Sequence, residues 1–228
     1  MSLLPDVRTT QNAAQVRRVF ITILLELKLS VADLAKAYPV FMAQSALETA
    51  HWNSMHCWNW GNIRPGAGWT GDIVQMRCNE QFSPGKWTWF NPPAPGEPCY
   101  GDPRHGSSFR AFTGAVLGAR DYFGFIQKHY PEAYSAALGG DAALFVRGLK
   151  ARGYFTADEA PYRNAVVSLV SGFAKLQDDP LYVTPAFDWS AFPAMKAAAI
   201  NLDIDASYAN LDLSHDQESG EAYHENDS

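Results

Sequence analysis

The sequence predicts an α+β fold that is predominantly α-helical, with a small antiparallel β-hairpin region inserted between the helices. Apolar residues recur at helical spacing before residue 52 and again after residue 113. Residues 52–112 lack that spacing and are rich in Gly, Pro and Trp. Short β-prone runs within this stretch surround turn residues, which is the pattern of a hairpin.

The helices before the insert follow from apolar spacing and capping residues. One helix is predicted over residues 11–28, and Ser30 with Asp33 predicts the start of a short second helix. A third helix is predicted over residues 39–51, because proline is tolerated in the first turn of a helix.

The insert and the segment after it are predicted from turn and cap signals. Three strands are expected, the first two joined by a Ser-Pro-Gly turn, at residues 73–78, 86–90 and 109–112. Three further helices are expected, one after Thr113, one capped by Asp141 and one capped by Thr156 with Glu159.

The charge is divided unevenly along the chain. The net charge is −6, but residues 197–228 hold eight of the 24 acidic residues and none of the 18 basic ones, which leaves about +2 for residues 1–196. We therefore predict one domain over residues 1–180 and a C-terminal extension over residues 181–228, flexible from about residue 197. Without clustered Lys and Arg, no nucleic-acid partner is expected.

No run of apolar residues is long enough for a membrane span, so none is predicted. The N-terminal sequence MSLLPDVRTT lacks the basic start, apolar stretch and cleavage site of a secretory signal. We therefore expect synthesis in the cytoplasm and, for any extracellular substrate, delivery by another route.

Metal and disulfide chemistry receive little support from the sequence. Cys57, Cys78 and Cys99 form no CxxC pair, and a Cys78–Cys99 bridge and free thiols both stay open. Glu48 and His51 have the spacing found in di-iron bundles, but a bundle of that kind needs a second pair on another helix. No metal and no other cofactor are expected.

Glu48 is the strongest candidate for a catalytic group. It lies near the end of a mostly apolar predicted helix, just before the aromatic insert. Partial desolvation there would raise its pKa, and a protonated carboxyl group is what glycosidic cleavage needs. The alternative is an ordinary solvated glutamate on a helix surface.

The tryptophans of the insert support a saccharide groove. Six of the seven fall within 38 positions, at residues 52, 58, 60, 69, 87 and 89. Indole rings stack on the CH faces of sugars while the N–H group remains free to bond hydroxyls. The alternative is that large rings fill space in a small sheet with little regular core.

Five segments together resemble a known family, the bacterial endo-β-N-acetylglucosaminidases of the autolysin and flagellar-rod hydrolase type. FMAQSALETAHW (41–52) is similar to the family's A-Q-x-x-L-E-[ST] run. Four more segments follow in the family's order: WNWGNIR (58–64), GWTGDIV (68–74), SFRAF (108–112) and RGYFTADEAPYRNAV (152–166). The first of these reads Asn-Trp-Gly-Asn where the family usually has Asn-Leu-Phe-Gly.

The resemblance implies a lysozyme-like helical domain that hydrolyses the β-1,4 glycan backbone of peptidoglycan. It makes Glu48 the general acid, Glu80 the second carboxylate and Tyr162 a residue near the acetamido group, with Asp72 as the competitor of Glu80. We expect the substrate-binding residues to be Gln44, Trp52, Trp60, Asn62, Trp69, Asp72 and Tyr154.

Several alternatives remain open within this prediction. A muramidase or a lytic transglycosylase shares the fold and the helical glutamate, although the Gly-Leu-Met-Gln stretch typical of transglycosylases is missing. A non-catalytic wall-binding protein is a further alternative. The stereochemistry is also open, since inversion, retention and attack by the substrate's own N-acetyl group all fit.

The expected partner is the peptidoglycan glycan strand, in the periplasm or cell wall. Delivery without a signal peptide fits a phage lysis or tail-associated enzyme that depends on a holin or virion. It equally fits a toxin injected into a competing cell, which would need an immunity protein in the producer.

Overall fold

The computed structural model describes residues 1–66, 68–83 and 86–178, which form helices around a small β region. The described helices are α1 Ala13–Glu26, α2 Val31–Glu48, α3 Ala115–His129, α4 Pro131–Leu138, α5 Ala142–Ala151 and α6 Glu159–Ala174, followed by a 3₁₀ turn at Lys175–Asp178. The described strands are β1 Ile73–Gln75, β2 Cys78–Ser83, β3 Lys86–Phe90 and β4 Ser108–Arg110. The predicted class, predominantly helical α+β with a small antiparallel insert, is confirmed.

Helix α1 begins with a reciprocal cap. The side chain of Asn12 accepts a hydrogen bond from the backbone N–H of Gln15 at 2.9 Å, and the Gln15 side chain accepts one from the N–H of Asn12 at 2.9 Å. These two backbone N–H groups, which have no acceptor within the helix, are hydrogen-bonded in this way. The predicted helix over residues 11–28 is confirmed with slightly shorter ends.

The two short helices predicted after α1 are one continuous helix, α2. Ser30 caps its start as predicted, accepting a bond from the N–H of Asp33 at 3.2 Å. Pro39, taken as the start of a separate helix, lies inside α2 instead. Residues 37–46 are buried on every side, and this packing outweighs the local cost of an interior proline.

The β region consists of two separate antiparallel pairs. β1 pairs with β4, with Ile73 opposite Arg110, and β2 pairs with β3, with Cys78 opposite Phe90. The prediction of one strand over residues 73–78 is therefore wrong, because the chain leaves the first pair at Gln75 and enters the second at Cys78. β3 matches its predicted bounds.

The helices after the insert were predicted except for α4, a short helix that begins with proline. α5 is capped as expected, since the Asp141 carboxylate accepts a bond from the N–H of Leu144 at 2.9 Å. The predicted cap at Thr156 is wrong by two residues, because Asp158 has the extended backbone of the N-cap and α6 begins at Glu159.

Helix α2 is the centre of the bundle, where it packs against α1, α4 and α6. The contact with α6 brings the C-terminal end of α2 close to the start of α6, although the two are more than 100 residues apart in sequence. The predicted extension over residues 181–228 lies outside the described residues. Within them, no helix is both long and apolar enough to cross a membrane.

Candidate active site

The end of α2 is followed by a left-handed turn that positions Glu48. Ala50, His51 and Trp52 have φ values of 49°, 52° and 62°, a conformation that L-residues rarely adopt. The helix thus ends at Glu48, three residues before its predicted end. Such a turn persists only where the surrounding contacts hold it in place.

The anchor of this turn is the indole of Trp52. It is 2% exposed and donates from Nε1 to the hydroxyl of Ser45 at 3.0 Å. The backbone N–H of Trp52 also donates to the side chain of Thr49 at 3.2 Å. These bonds tie the turn back to the last two turns of α2 and so fix the direction in which Glu48 projects.

Glu48 is half-buried at the wall of a large cleft. The hydroxyl of Tyr162, on α6, donates a hydrogen bond to Oε1 of Glu48 at 2.6 Å. The side-chain amide of Asn62 donates to the backbone carbonyl of Glu48. The cleft has a volume of about 1330 Å³, and Glu48, Asn62 and Tyr162 all line it.

A hydrogen-bond network beneath the cleft supports Tyr162. Gln44, which is fully buried one helical turn before Glu48, donates from Nε2 to the Tyr162 hydroxyl at 3.3 Å. The hydroxyl of Tyr122 donates to Oε1 of the same glutamine. Both ends of the Gln44 amide are therefore used, and its orientation fixes that of Tyr162.

The tyrosines around Glu48 are held in their neutral form. Burial raises the pKa of Tyr122, Tyr154 and Tyr162 well above its usual value, and the negative charge of Glu48 raises each further. The three phenols consequently keep their protons over the range in which enzymes usually work. Tyr162 therefore remains a hydrogen-bond donor to the Glu48 carboxyl group.

The loop after Trp60 comes unusually close to these tyrosines. A Cβ on Gly61 would lie 2.8 Å from the hydroxyl oxygen of Tyr154 and 3.1 Å from the ring of Tyr122. Tyr154 in turn donates to the carbonyl of Gly61 at 2.9 Å. A side chain at this point of the WNWGNIR segment would therefore displace Tyr154 or the ring of Tyr122.

Five predicted site residues line the cleft and one lies beneath it. The lining residues are Glu48, Asn62, Trp69, Tyr154 and Tyr162. Gln44 has no exposed surface and acts through its hydrogen bonds to the tyrosines. The structure thus brings together residues from α2, the following loop and the start of α6.

Two predicted binding residues are core residues instead. Trp60 is 0% exposed and Trp52 is 2% exposed, so neither has a ring face open to a sugar. The Trp60 indole donates to the carbonyl of Ala115 at 3.0 Å and packs edge-on against Phe20. We assign both rings to the core, which corrects the prediction that they bind substrate.

The two candidates for a second carboxylate are Asp72, whose side chain the structure describes, and Glu80, for which it describes only the backbone. Asp72 accepts a hydrogen bond from the backbone N–H of Ser2 at 2.8 Å, and it is not among the described residues that line the cleft. This carboxylate fastens the N-terminal segment, and its role as a binding residue stays a prediction. The backbone of Glu80 lies in β2 opposite Thr88, and its side chain lies outside the description.

A buried cation that the sequence analysis missed holds Trp69. The guanidinium of Arg110 lies 4.3 Å from the centre of the Trp69 ring and 4.8 Å from that of Phe125. It also forms an ion pair with Asp121 at 2.8 Å. Burial raises the pKa of Asp121, and the charge of Arg110 opposes that rise. The SFRAF segment held the signal, an arginine between apolar strand residues.

The β2–β3 hairpin supplies an exposed wall of the cleft. Trp87 lines the cleft and is 57% exposed, which makes it the most open indole of the site. Trp89, two residues on, is 53% exposed and lies against the guanidinium of Arg77, 4.2 Å from the ring centre. Trp87 was noted as part of the tryptophan cluster but was not predicted to bind substrate.

No metal site is found in the described part of the chain, where no three His, Cys, Asp or Glu side chains come together. Cys57, Cys78 and Cys99 are free thiols. What the site offers is a half-buried carboxyl group, held by a neutral phenol, in a cleft with aromatic and cationic walls. Chemically, such a group can donate a proton to a bound oxygen atom and take it back.

The solved structures that match this chain include peptidoglycan hydrolases and a glycoside hydrolase domain. A peptidoglycan hydrolase mutant from Sphingomonas sp. A1 matches with a TM-score of 0.49 and 23% identity, over 72% of this chain and 96% of that one. The glycoside hydrolase domain of Salmonella typhimurium FlgJ matches with a TM-score of 0.44 and 14% identity, over 88% of this chain and 100% of that one.

The catalytic domain of the autolysin Auto from Listeria monocytogenes matches with a TM-score of 0.43 and 17% identity, over 76% of this chain and 91% of that one. No protein-family model and no curated protein matches the sequence. An autolysin and further peptidoglycan hydrolases, the kind of protein that the sequence resembles, are thus among the similar structures.

Proposed function

We propose that this protein is a peptidoglycan hydrolase of the endo-β-N-acetylglucosaminidase type, with Glu48 as the general acid. The observation that carries the proposal is the position of Glu48, half-buried in a cleft of about 1330 Å³ and bonded by Tyr162 at 2.6 Å. A cleft of this size accommodates several sugar rings, as an endo-acting enzyme requires. The segments that resemble the family contribute Glu48, Asn62, Trp69, Tyr154 and Tyr162 to the lining of this cleft.

In the proposed reaction, Glu48 transfers the proton and two neighbouring residues orient it. The carboxyl group of Glu48 protonates the glycosidic oxygen, and the bond to the anomeric carbon breaks as positive charge develops on the sugar. Tyr162 orients that carboxyl group through its hydrogen bond. Gln44 fixes Tyr162 from below and is a positioning residue.

Glu80 is our candidate for the second carboxylate, because the hairpin that carries it borders the cleft through Cys78, Asn79 and Trp87. It would activate water for inversion, or stabilise the charge while the N-acetyl oxygen attacks. Proton NMR of the first-formed anomer separates inversion from the alternatives. Attack by the N-acetyl oxygen and retention through a covalent intermediate both give the anomer opposite to that formed by inversion. Loss of activity in Glu80→Gln without loss of binding is expected in either case.

The decisive test is Glu48→Gln in a turbidity assay on purified cell walls. We expect a loss of at least about 10³-fold in clearing rate, because the amide cannot donate the proton at a useful rate. Glu97→Gln is the matched control, since that carboxylate is exposed and does not line the cleft. Clearing by Glu48→Gln at the wild-type rate would overturn the proposal, and no clearing by the wild type would leave a wall-binding protein.

The bond that is cut is tested by mass spectrometry of the products. N-acetylglucosamine at the reducing ends supports the glucosaminidase assignment. N-acetylmuramic acid there would identify a muramidase, and anhydro ends would identify a lytic transglycosylase. Each of these outcomes keeps Glu48 as the acid but changes the position of the substrate in the cleft.

The proposed place of action is the periplasm or cell wall, where peptidoglycan lies. Expression of the chain in a bacterium with and without a periplasm-directing signal tests this point. We expect lysis only when the protein is exported, and only with Glu48 intact. Whether a holin, a virion or an injection system delivers it, and whether an immunity protein exists, stay predictions.

A further inference from the structure

The cleft is richer in positive charge than the domain around it. Six described lining residues are Arg or Lys, namely Arg8, Arg64, Arg77, Arg110, Arg120 and Lys128. Only Glu48 and Asp121 among the described lining residues carry a carboxylate. Residues 1–196 together have a net charge of only about +2, so positive charge is concentrated where substrate would lie.

Part of this positive charge is used inside the protein. Arg110 is paired with Asp121 at 2.8 Å, and Arg120 is paired with Glu26 at 3.0 Å. Arg64 donates to the carbonyl of Gly106 and lies over the Phe109 ring at 4.6 Å. These three arginines hold the walls of the cleft together.

The other three cations, which we call the cationic rim, are Arg8, Arg77 and Lys128. All three side chains are exposed, and no carboxylate in the described part of the chain forms an ion pair with them. They come from separate elements: the N-terminal segment, the link between β1 and β2, and the last turn of α3. Their charges therefore face the cleft from several walls.

Chemistry limits what this rim can bind. A chain of N-acetylglucosamine alone is neutral and gains nothing from cations. Peptidoglycan differs because each muramic acid bears a lactyl group, which is either a free carboxylate or the attachment point of a peptide with carboxylates of its own. Exposed ammonium and guanidinium groups bind carboxylates, and guanidinium does so with two parallel hydrogen bonds.

We propose that the cationic rim selects carboxylate-bearing glycan over neutral glycan in this cleft. Trp87 contacts the sugar face common to both ligands, and Arg77, ten residues earlier in the same hairpin region, reads the negative charge. The inference rests on the proposed function for its substrate. It goes beyond that function by assigning substrate choice to residues that take no part in bond cleavage.

The test measures binding by full-length protein carrying Glu48→Gln, so that cleavage does not interfere. Three soluble ligands of similar length are compared: glycan strands with stem peptides, strands stripped of peptide by an amidase, and a neutral chitin oligosaccharide. We expect both carboxylate-bearing ligands to bind more tightly than the neutral one. The preference should disappear near 1 M salt, where the Debye length is about 3 Å.

Substitution of the rim identifies the residues responsible. In the same background, Arg77→Gln and Lys128→Gln should each lower the ratio of charged to neutral affinity about two- to five-fold, as expected for exposed charge pairs. Arg77→Lys should retain most of the ratio. Arg18→Gln is the matched control, because Arg18 is exposed on α1 and does not line the cleft.

The outcomes separate this inference from the proposed function. Equal affinity for charged and neutral ligands, or an unchanged ratio in both rim variants, overturns the inference even if the wild type clears cell walls. A rim-dependent preference with no cleavage by the wild type supports the inference while the enzymatic proposal fails. If only the peptide-bearing strands bind more tightly than the neutral ligand, the rim binds carboxylates of the peptide. If both charged ligands do, the rim also binds the carboxylate of the lactyl group.

Discussion

The tryptophans of the insert fall into two groups with opposite surroundings. Trp52 and Trp60 are buried, and each indole N–H has an acceptor inside the protein. Trp87 and Trp89, on β3, are each more than half exposed. One residue type in one stretch of sequence therefore serves two purposes, and only the three-dimensional surroundings separate them.

The spacing within each pair explains part of this difference. Trp87 and Trp89 are two residues apart in a strand, so both side chains lie on the same face of the hairpin. Trp52 and Trp60 lie in irregular backbone around the end of α2, where large rings fill the space between helices and insert. Buried indoles build the site, and exposed indoles are available to a ligand.

The largest expected difference between the buried and the exposed tryptophans is in their contribution to stability. Trp60→Ala should lower the free energy of unfolding by about 3–5 kcal/mol, because it leaves a large cavity and an unpaired carbonyl. Trp87→Ala should change it by no more than about 0.5 kcal/mol. Denaturant unfolding followed by circular dichroism measures both, and similar shifts in the two variants would contradict the division.

The next effect concerns the hydrogen bond between the helices. Tyr162→Phe removes the hydroxyl that bonds Glu48, and we expect kcat/KM on peptidoglycan to fall about 10- to 100-fold, the range for hydrogen bonds to a charged group. Tyr100→Phe, at an exposed tyrosine outside the cleft, is the control. A wild-type kcat/KM in Tyr162→Phe would remove the tyrosine from the mechanism.

A smaller effect is expected on ligand binding. Trp87→Ala should weaken binding of glycan strands about two- to ten-fold through loss of stacking, with the fold unchanged. Tyr100→Ala is the control, since Tyr100 is also an exposed aromatic residue but is not among the described residues lining the cleft. Calorimetric titration in the Glu48→Gln background gives both affinities. Equal affinity losses in the two variants would contradict a specific contact at Trp87.

The smallest effect is a missing signal in alkaline titration. Because the pKa of Tyr122, Tyr154 and Tyr162 is raised, these phenols should not ionise near pH 10, where free tyrosine does. Above about pH 10 the folded state then binds more protons than the unfolded state, so stability falls as pH rises. Phenolate absorbance should reach its full value only on unfolding, and full ionisation in folded protein would contradict the burial.

The fold was predictable wherever the local signals agree with the packing. The cap at Asp141 and the strand Lys86–Phe90 lie where spacing and turn residues place them. Pro39 misled the prediction, because burial on all sides keeps α2 continuous through a residue that usually starts or breaks a helix. Short α4 lacked a clear start signal beyond its proline.

The candidate site was predictable only in part. The pairing of Glu48 with Tyr162 spans 114 residues, and only the resemblance of two separate segments placed both in one site. The stacking of Arg110 on Trp69 was missed, because a contact between a strand and a loop leaves no periodic pattern in the sequence. Exposure of individual tryptophans likewise depends on tertiary packing.

The left-handed turn at residues 50–52 has a consequence for how the carboxyl group is ordered. A backbone conformation that L-residues avoid is kept only by the fold around it, so the direction of Glu48 is set when the chain folds. A ligand that enters the cleft therefore meets a carboxyl group that is already oriented, and little binding free energy is lost to arranging it. In the proposed function, the rigid turn after α2 would in this way strengthen the binding of the glycan at Glu48.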